Sequence, residues 1–116
     1  VHPGAVVSRH AALGAGTVVM AGAVVNIDAI IGLGGIVNTG ATVDHDCKLS
    51  DAAHVGPGAH LSGNVRIGDC SWIGVGAVIK QGVTVGKNVT VRAGGVVVSD
   101  IADGLTVAGN PVRPLN

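Results

Sequence analysis

Residues 37–61 read VNTGATVDHDCKLSDAAHVGPGAHL, and within them Val37, Val43, Leu49, Val55 and Leu61 stand six residues apart. The same interval extends back through Ile31, Val25, Val19, Leu13, Val7 and Val1 and forward through Ile67, Ile73, Ile79, Val85, Val91 and Val97. All seventeen sites are Val, Leu or Ile, without one insertion. Agreement at every site excludes chance, and six is neither the 3.6-residue period of a helix nor the two-residue alternation of an open strand.

The other columns of the hexad carry the physics. With the aliphatic site as the first position, the fifth is small or β-branched at Ala5, Ala11, Thr17, Ala23, Ala29, Ala41, Cys47, Ala53, Ala59, Ser71 and Ala77, as a narrow interior requires. The fourth is Gly, Asn or Asp at fourteen of the seventeen sites. These types tolerate the left-handed backbone of a sharp turn. Each hexad therefore reads as a short strand and a turn, and three hexads close a triangular coil in which residue i stacks on i+18. The fold class is all-β, a parallel β-helix of about six coils spanning 1–102. At about 4.8 Å between paired strands, such a prism stands roughly 27 Å tall. Asp103-Gly104 and Pro111 break the register, so 103–116 is expected to be a C-terminal tail.

Composition narrows the function. A chain of 116 residues has room for one domain. Its seven Lys and Arg balance seven acidic residues, all of them Asp, so no electrostatic footprint for nucleic acid or an anionic membrane is present. Trp72 is the sole aromatic residue and cannot build a base-stacking platform. Residues 11–27 are uncharged, but five of those seventeen are Gly, Thr or Asn, which the hexad explains better than a membrane span. Two cysteines without a signal peptide fit a reducing compartment and give no metal framework. The chain opens on Val1, already in repeat register, and is expected to be a domain of a longer protein.

The uninterrupted array resembles the hexapeptide-repeat acyltransferases. Two segments sharpen the resemblance: Asn38-Thr39-Gly40-Ala41-Thr42-Val43-Asp44-His45-Asp46-Cys47 followed by His54-Val55, and Val107-Ala108-Gly109-Asn110-Pro111-Val112-Arg113. Both are similar to the group of sialic acid O-acetyltransferases and UDP-amino-sugar N-acetyltransferases of bacillosamine type. The resemblance implies a left-handed coil, against the right-handed crossover rule, and a homotrimer. It further implies acetyl-CoA as cosubstrate and a nucleotide-linked sugar as acceptor through its amino or hydroxyl group. A cytoplasmic location and an N-terminal sugar-binding domain outside this chain are also expected.

Five histidines, His2, His10, His45, His54 and His60, are the natural proton acceptors near neutral pH. By resemblance His45 is the general base and Asp46 raises its basicity, although Asp46 also occupies the turn column where Asp is at home. His54 lies nine residues on, half a coil away, in a column with Ile36, Trp72 and Thr90. The resemblance puts it near the thioester carbonyl of acetyl-CoA, where an N–H donor polarises the carbonyl. Third-position residues form two ladders, Pro57-Val75-Ala93 and His45-Gly63-Gln81. By resemblance Gly63, Val75 and Ala93 line the acetyl-CoA groove, Gly63 allowing close approach to backbone. Arg113, with Arg92 and Lys87 as other candidates, is expected to meet nucleotide phosphates. Cys47 sits in the inward column as a small buried hydrophobe rather than a nucleophile, and Cys70 lies in a turn. No metal ligand set is expected.

Three rival readings remain. A γ-class carbonic anhydrase shares the fold, but it pairs two His ligands about five residues apart on one subunit, a spacing absent here. An ice-binding solenoid requires ladders of Thr, and the 18-residue spacing stacks none. A non-catalytic trimerisation module explains the array but not the His45 segment.

Overall fold

A computed structural model describes all of residues 1–116. Each hexad contributes a strand of two residues, the first turned outward and the second, the hexad aliphatic, turned inward. Strands are numbered in chain order. Face 1 stacks β1 (Val6–Val7), β4 (Val24–Val25), β7 (Thr42–Val43), β10 (His60–Leu61), β13 (Val78–Ile79) and β16 (Val96–Val97). Face 2 stacks β2 (Ala12–Leu13), β5 (Ile30–Ile31), β8 (Lys48–Leu49), β11 (Arg66–Ile67) and β14 (Thr84–Val85). Face 3 stacks β3 (Val18–Val19), β6 (Ile36–Val37), β9 (His54–Val55), β12 (Trp72–Ile73) and β15 (Thr90–Val91), then β17 (Thr106–Gly109) and β18 (Val112–Pro114). Up to β16 every pairing is parallel and joins residue i to i+18, as in Ile36↔His54 and Trp72↔Thr90. The result is the parallel β-helix expected from the repeat, with the left hand that the resemblance implies.

Two residues suffice for a strand because the backbone is paired coil to coil. The His54 N–H donates to the Ser71 carbonyl at 2.9 Å, and the Gly56 N–H to that of Ile73 at 2.7 Å. The interior is a single cluster of twenty-six buried residues without an aromatic ring, filled by first-position aliphatics and fifth-position Ala. Ser71 is the buried polar exception. Its hydroxyl donates to the Gly86 carbonyl at 2.6 Å and accepts from the Val89 N–H at 2.9 Å, which removes the cost of burying it.

The turns also follow the column. From Gly16 to Gly94 the fourth residue of every hexad has φ between 53° and 78°. The geometry is imposed even on Ala52 and Cys70, both at 57°, because the coil must turn there whatever the side chain.

The expected boundary at 102/103 is not a break. Ile101 still bridges to Val85, and β17 still pairs with β15 through Thr90↔Thr106 and Val91↔Val107. The last coil is two residues short, so its register is 16, and Thr90 and Thr106 stack in a way that 18-residue spacing hides. β18 then folds back antiparallel on β17, with Ala108↔Arg113 in register. These strands lengthen the prism, whose extents are 38 × 21 × 20 Å. No helix of the chain is long and apolar enough to cross a membrane.

An L-residue in the left-handed region costs about 1–2 kcal/mol, of which glycine's larger unfolded-state entropy returns about 0.4–1 kcal/mol. Ala52→Gly and Cys70→Gly should therefore each stabilise the fold by about 0.5–1 kcal/mol, read as a raised midpoint in chemical denaturation. A lowered midpoint in both would mean that these turns relax out of the left-handed region.

Candidate active site

The corner between faces 1 and 2 is an acidic turn built around His45. One coil below, Asn26 Nδ2 donates to Asp44 Oδ1 at 3.2 Å, and the same oxygen accepts the His45 N–H at 2.7 Å. Asp46, at φ 61°, is the left-handed residue of this hexad, and its carboxylate folds back so that Oδ2 lies 2.9 Å from His45 Nδ1. A carboxylate only accepts, so Nδ1 carries the proton and Nε2 is left as the proton-accepting atom. The hydrogen bond that His45 Nδ1–H donates to Asp46 raises the His45 pKa above the ordinary imidazole value. Desolvation opposes the rise, and the charges of Asp44 and Asp46 add to it. The ring lies over Gly63, which is buried, and a Cβ built on Gly63 would meet Nε2 and Cε1 and come within 3.0 Å of Cδ2.

Face 3 holds His54 in a different setting. Its ring stacks on that of Trp72 with centroids 4.7 Å apart and planes inclined by 25°. Asn38 Nδ2 lies 3.1 Å from His54 Nε2, while Asn38 Oδ1 accepts the Thr39 N–H at 2.8 Å. The latter bond orients the amide, so its NH₂ donates to Nε2 and the proton of the neutral ring sits on Nδ1 as a free donor. Burial lowers the pKa of this half-buried histidine, which keeps it neutral at physiological pH. Above Trp72 runs a groove lined by Gly74, Val75, Thr90, Val91, Arg92 and Ala93. The ladder along its edge is fixed by the Gly76 N–H on the Pro57 carbonyl at 2.9 Å and the Gly94 N–H on that of Val75 at 2.8 Å.

This architecture has close counterparts among solved structures. The acetyltransferase domain of PglB from Neisseria gonorrhoeae FA1090, in complex with acetyl coenzyme A, superposes with a TM-score of 0.98 at 59% identity, covering 98% of this chain and 56% of that one. GDP-perosamine N-acetyl transferase from Caulobacter crescentus, as a His-to-Ala mutant in complex with CoA and GDP-perosamine, gives 0.99 at 46% identity, covering 100% of this chain and 55% of that one. WeeI from Acinetobacter baumannii AYE gives 0.94 at 33% identity, covering 97% and 56%. The chain is a hexapeptide-repeat protein similar to these acetyltransferases. It spans little more than half the length of these relatives. No protein-family model matches it, and no curated protein does.

In this hexapeptide-repeat chain the expected site residues fall into separate groups. His54, Val75 and Ala93 share one flank with Trp72. His45 and Asp46 occupy the corner opposite face 3, on the far side of a prism about 20 Å thick. Gly63 lies with His45 and not with Val75 and Ala93, since the Asn64 N–H bonds the His45 carbonyl at 3.0 Å and stacks their two turns. Arg92 is the cation at the apolar groove. Lys87 lies in a polar groove on face 2 with Lys48 and Arg66. Arg113, on β18, lines a cavity with Asp100 and turns Nη1 to its neighbour's carbonyl, Val112 O, at 2.9 Å. Cys47 is buried, bonds the Ser62 carbonyl through Sγ at 3.1 Å, and has its pKa raised by burial, while Cys70 is exposed.

Two contributors were not read from the sequence: Asp44 and Asn38. The 18-residue rule places Asp44 above Asn26 and could have found the first. Asn38 stands sixteen residues before His54 and follows from no column.

In an NMR titration the His45 midpoint should lie above the ordinary imidazole value of 6.5 and that of His54 below it. Asp46→Asn should lower the His45 midpoint, because removing a carboxylate disfavours the imidazolium. A His45 midpoint unmoved by Asp46→Asn would remove Asp46 from its role.

Proposed function

We propose that the protein is an acetyl-CoA-dependent acetyltransferase whose acceptor is the amino group of a nucleotide-linked amino sugar, and that its sites form between the chains of a homotrimer. The observation that carries this reading is the division of labour between two histidines. His45 offers a proton-accepting Nε2 raised in basicity by Asp46, and His54 offers a neutral N–H donor beside an apolar groove. The complexes of the relatives, with acetyl coenzyme A in one and with CoA and GDP-perosamine in the other, support donor and acceptor classes of this kind.

The chemistry follows from those atoms. The acceptor nitrogen attacks the thioester carbonyl and forms the C–N bond, and its proton passes to His45 Nε2. His54 Nδ1–H donates to the carbonyl oxygen, where negative charge develops. As the C–S bond breaks, the proton held by His45 is available to the departing thiolate. Transfer is direct. Cys47 is buried with a raised pKa, so no acyl-enzyme forms on it.

A trimer answers the separation of the two histidines. A heterologous contact that sets the corner between faces 1 and 2 of one chain against face 3 of the next closes into a ring after three steps. The outward column of face 1 supplies apolar surface for such a contact through Val6, Val24, Val78 and Val96. Val75 and Ala93 line the pantetheine channel, and Arg92 and Arg113 are the phosphate candidates. Recognition of the nucleotide is assigned to a segment outside residues 1–116. Two free cysteines support a cytoplasmic location.

Thiol release from acetyl-CoA should depend on an amino sugar in a panel of UDP- and GDP-linked amino sugars and sialic acid. Release with sialic acid alone would overturn the amine assignment. His45→Ala should lower turnover by about 10²–10⁴-fold while acetyl-CoA still binds, and near-normal turnover would make His45 a bystander. Light scattering at micromolar concentration should report a trimer, and a monomer would reject the shared site.

A further inference from the structure

We propose that Gly63 is a positioning residue for the transfer reaction: its missing side chain is the seat of the His45 imidazole, and it sets where Nε2 stands relative to the acceptor. The inference rests on the reading of His45 as the base.

Gly63 is the one glycine of the third column, and its backbone does not call for glycine. The fourth-position glycines turn with positive φ, whereas Gly63 does not. The second-position glycines are needed for another reason. A Cβ on Gly56, Gly68 or Gly74 would run into the backbone of the next coil, at 2.6, 2.5 and 2.6 Å respectively. At Gly63 the nearest atoms to such a Cβ all belong to one imidazole: Nε2, Cε1 and Cδ2 of His45. The neighbouring rungs of the ladder, Ile27 and Gln81, carry full side chains, so the third position has room for one unless a ring already lies there.

Two contacts therefore fix the imidazole. Asp46 holds Nδ1 from the side, and the bare Gly63 backbone receives the ring from the next coil. Rotation about the bonds of His45 would otherwise leave Nε2 free to sweep an arc. The displaced group is the end of a side chain and not backbone, so filling the seat moves the ring while the coil stays folded.

Gly63→Ala tests this with three measurements. The melting temperature should stay near that of the wild type, because alanine is compatible with this backbone. Turnover should fall by about 10- to 100-fold, the scale of a misplacement of about 1 Å, with the acetyl-CoA dissociation constant unchanged. In the NMR titration the His45 midpoint should move down toward that of free imidazole, since a displaced ring leaves Asp46, and Asp44 and Asp46 are the charged groups that act on it. In a His45→Ala background the same substitution should have no further effect on turnover.

An unmoved His45 titration would overturn the proposal, as would an equal loss of turnover in the His45→Ala background. Weakened acetyl-CoA binding with an unmoved titration would also overturn it and return Gly63 to the cosubstrate groove. Full turnover in His45→Ala alone would instead overturn the base assignment, and the titration is independent of that result.

Discussion

Every coil of this protein is held by hydrogen bonds to the coils on either side, and the rest of the structure depends on that ladder. A strand of two residues has no independent stability. It persists here because its peptide groups pair above and below, and because the side chain between those pairs lands on an identical position 18 residues away. Val, Leu and Ile suit this stacking for a simple reason: an aliphatic column over an aliphatic column fills a narrow triangular interior at near-crystalline density. No aromatic ring is found inside. The same ladder fixes the outside. Once a coil is in register, the position of each outward side chain is set to within its rotamers, and rigid placement of functional groups comes with the fold.

The parts of this that repeat were legible in the sequence, and the parts that occur once were not. The first, fourth and fifth columns predicted the coil, its turns and its core, and the alignment of Ile36, His54, Trp72 and Thr90 followed from spacing alone. Spacing failed where the period failed. The last coil closes in 16 residues, so what read as a tail beyond Ala102 continues face 3 through β17 and β18. Composition failed at Ala52 and Cys70, which turn because the coil turns and not because their side chains prefer it. At the site, His45, Asp46 and His54 could be named from the motif, but the hold of Asn38 on His54 is a diagonal contact between coils that no column records. The ladder put Gly63 beside His45. Ring orientation, which spacing does not carry, revealed what the glycine is for.

Two histidines nine residues apart acquire opposite properties from the two places the coil delivers them. His45 stands half-exposed on a corner with carboxylates on both sides, and their charge favours the imidazolium. His54 stands on a flat face between Asn38 and an indole, and loss of water disfavours it. Environments that push like groups in opposite directions mark an acid–base division of roles. The assignment of protons strengthens it. Asp46 requires a proton on His45 Nδ1 and leaves a lone pair on Nε2, whereas Asn38 occupies His54 Nε2 and leaves a proton on Nδ1. One ring presents an acceptor and the other a donor, and both do so in the resting protein.

A triangular prism also limits what one chain can do alone. His45 on a corner and His54 on the face opposite it stand on different sides of a prism about 20 Å thick, so within one chain the two rings do not line one cleft. Adding coils lengthens each ladder but never brings the two together. In the proposed trimer a second prism, offering its face to the first prism's corner, would produce a cleft with a base on one wall and a donor and apolar groove on the other. On the proposed reading, oligomerisation is a requirement of the chemistry and not an addition to stability. The proposed contact would also cover the polar, half-exposed His45 turn, and the seat we propose at Gly63 would keep the ring in place across that gap.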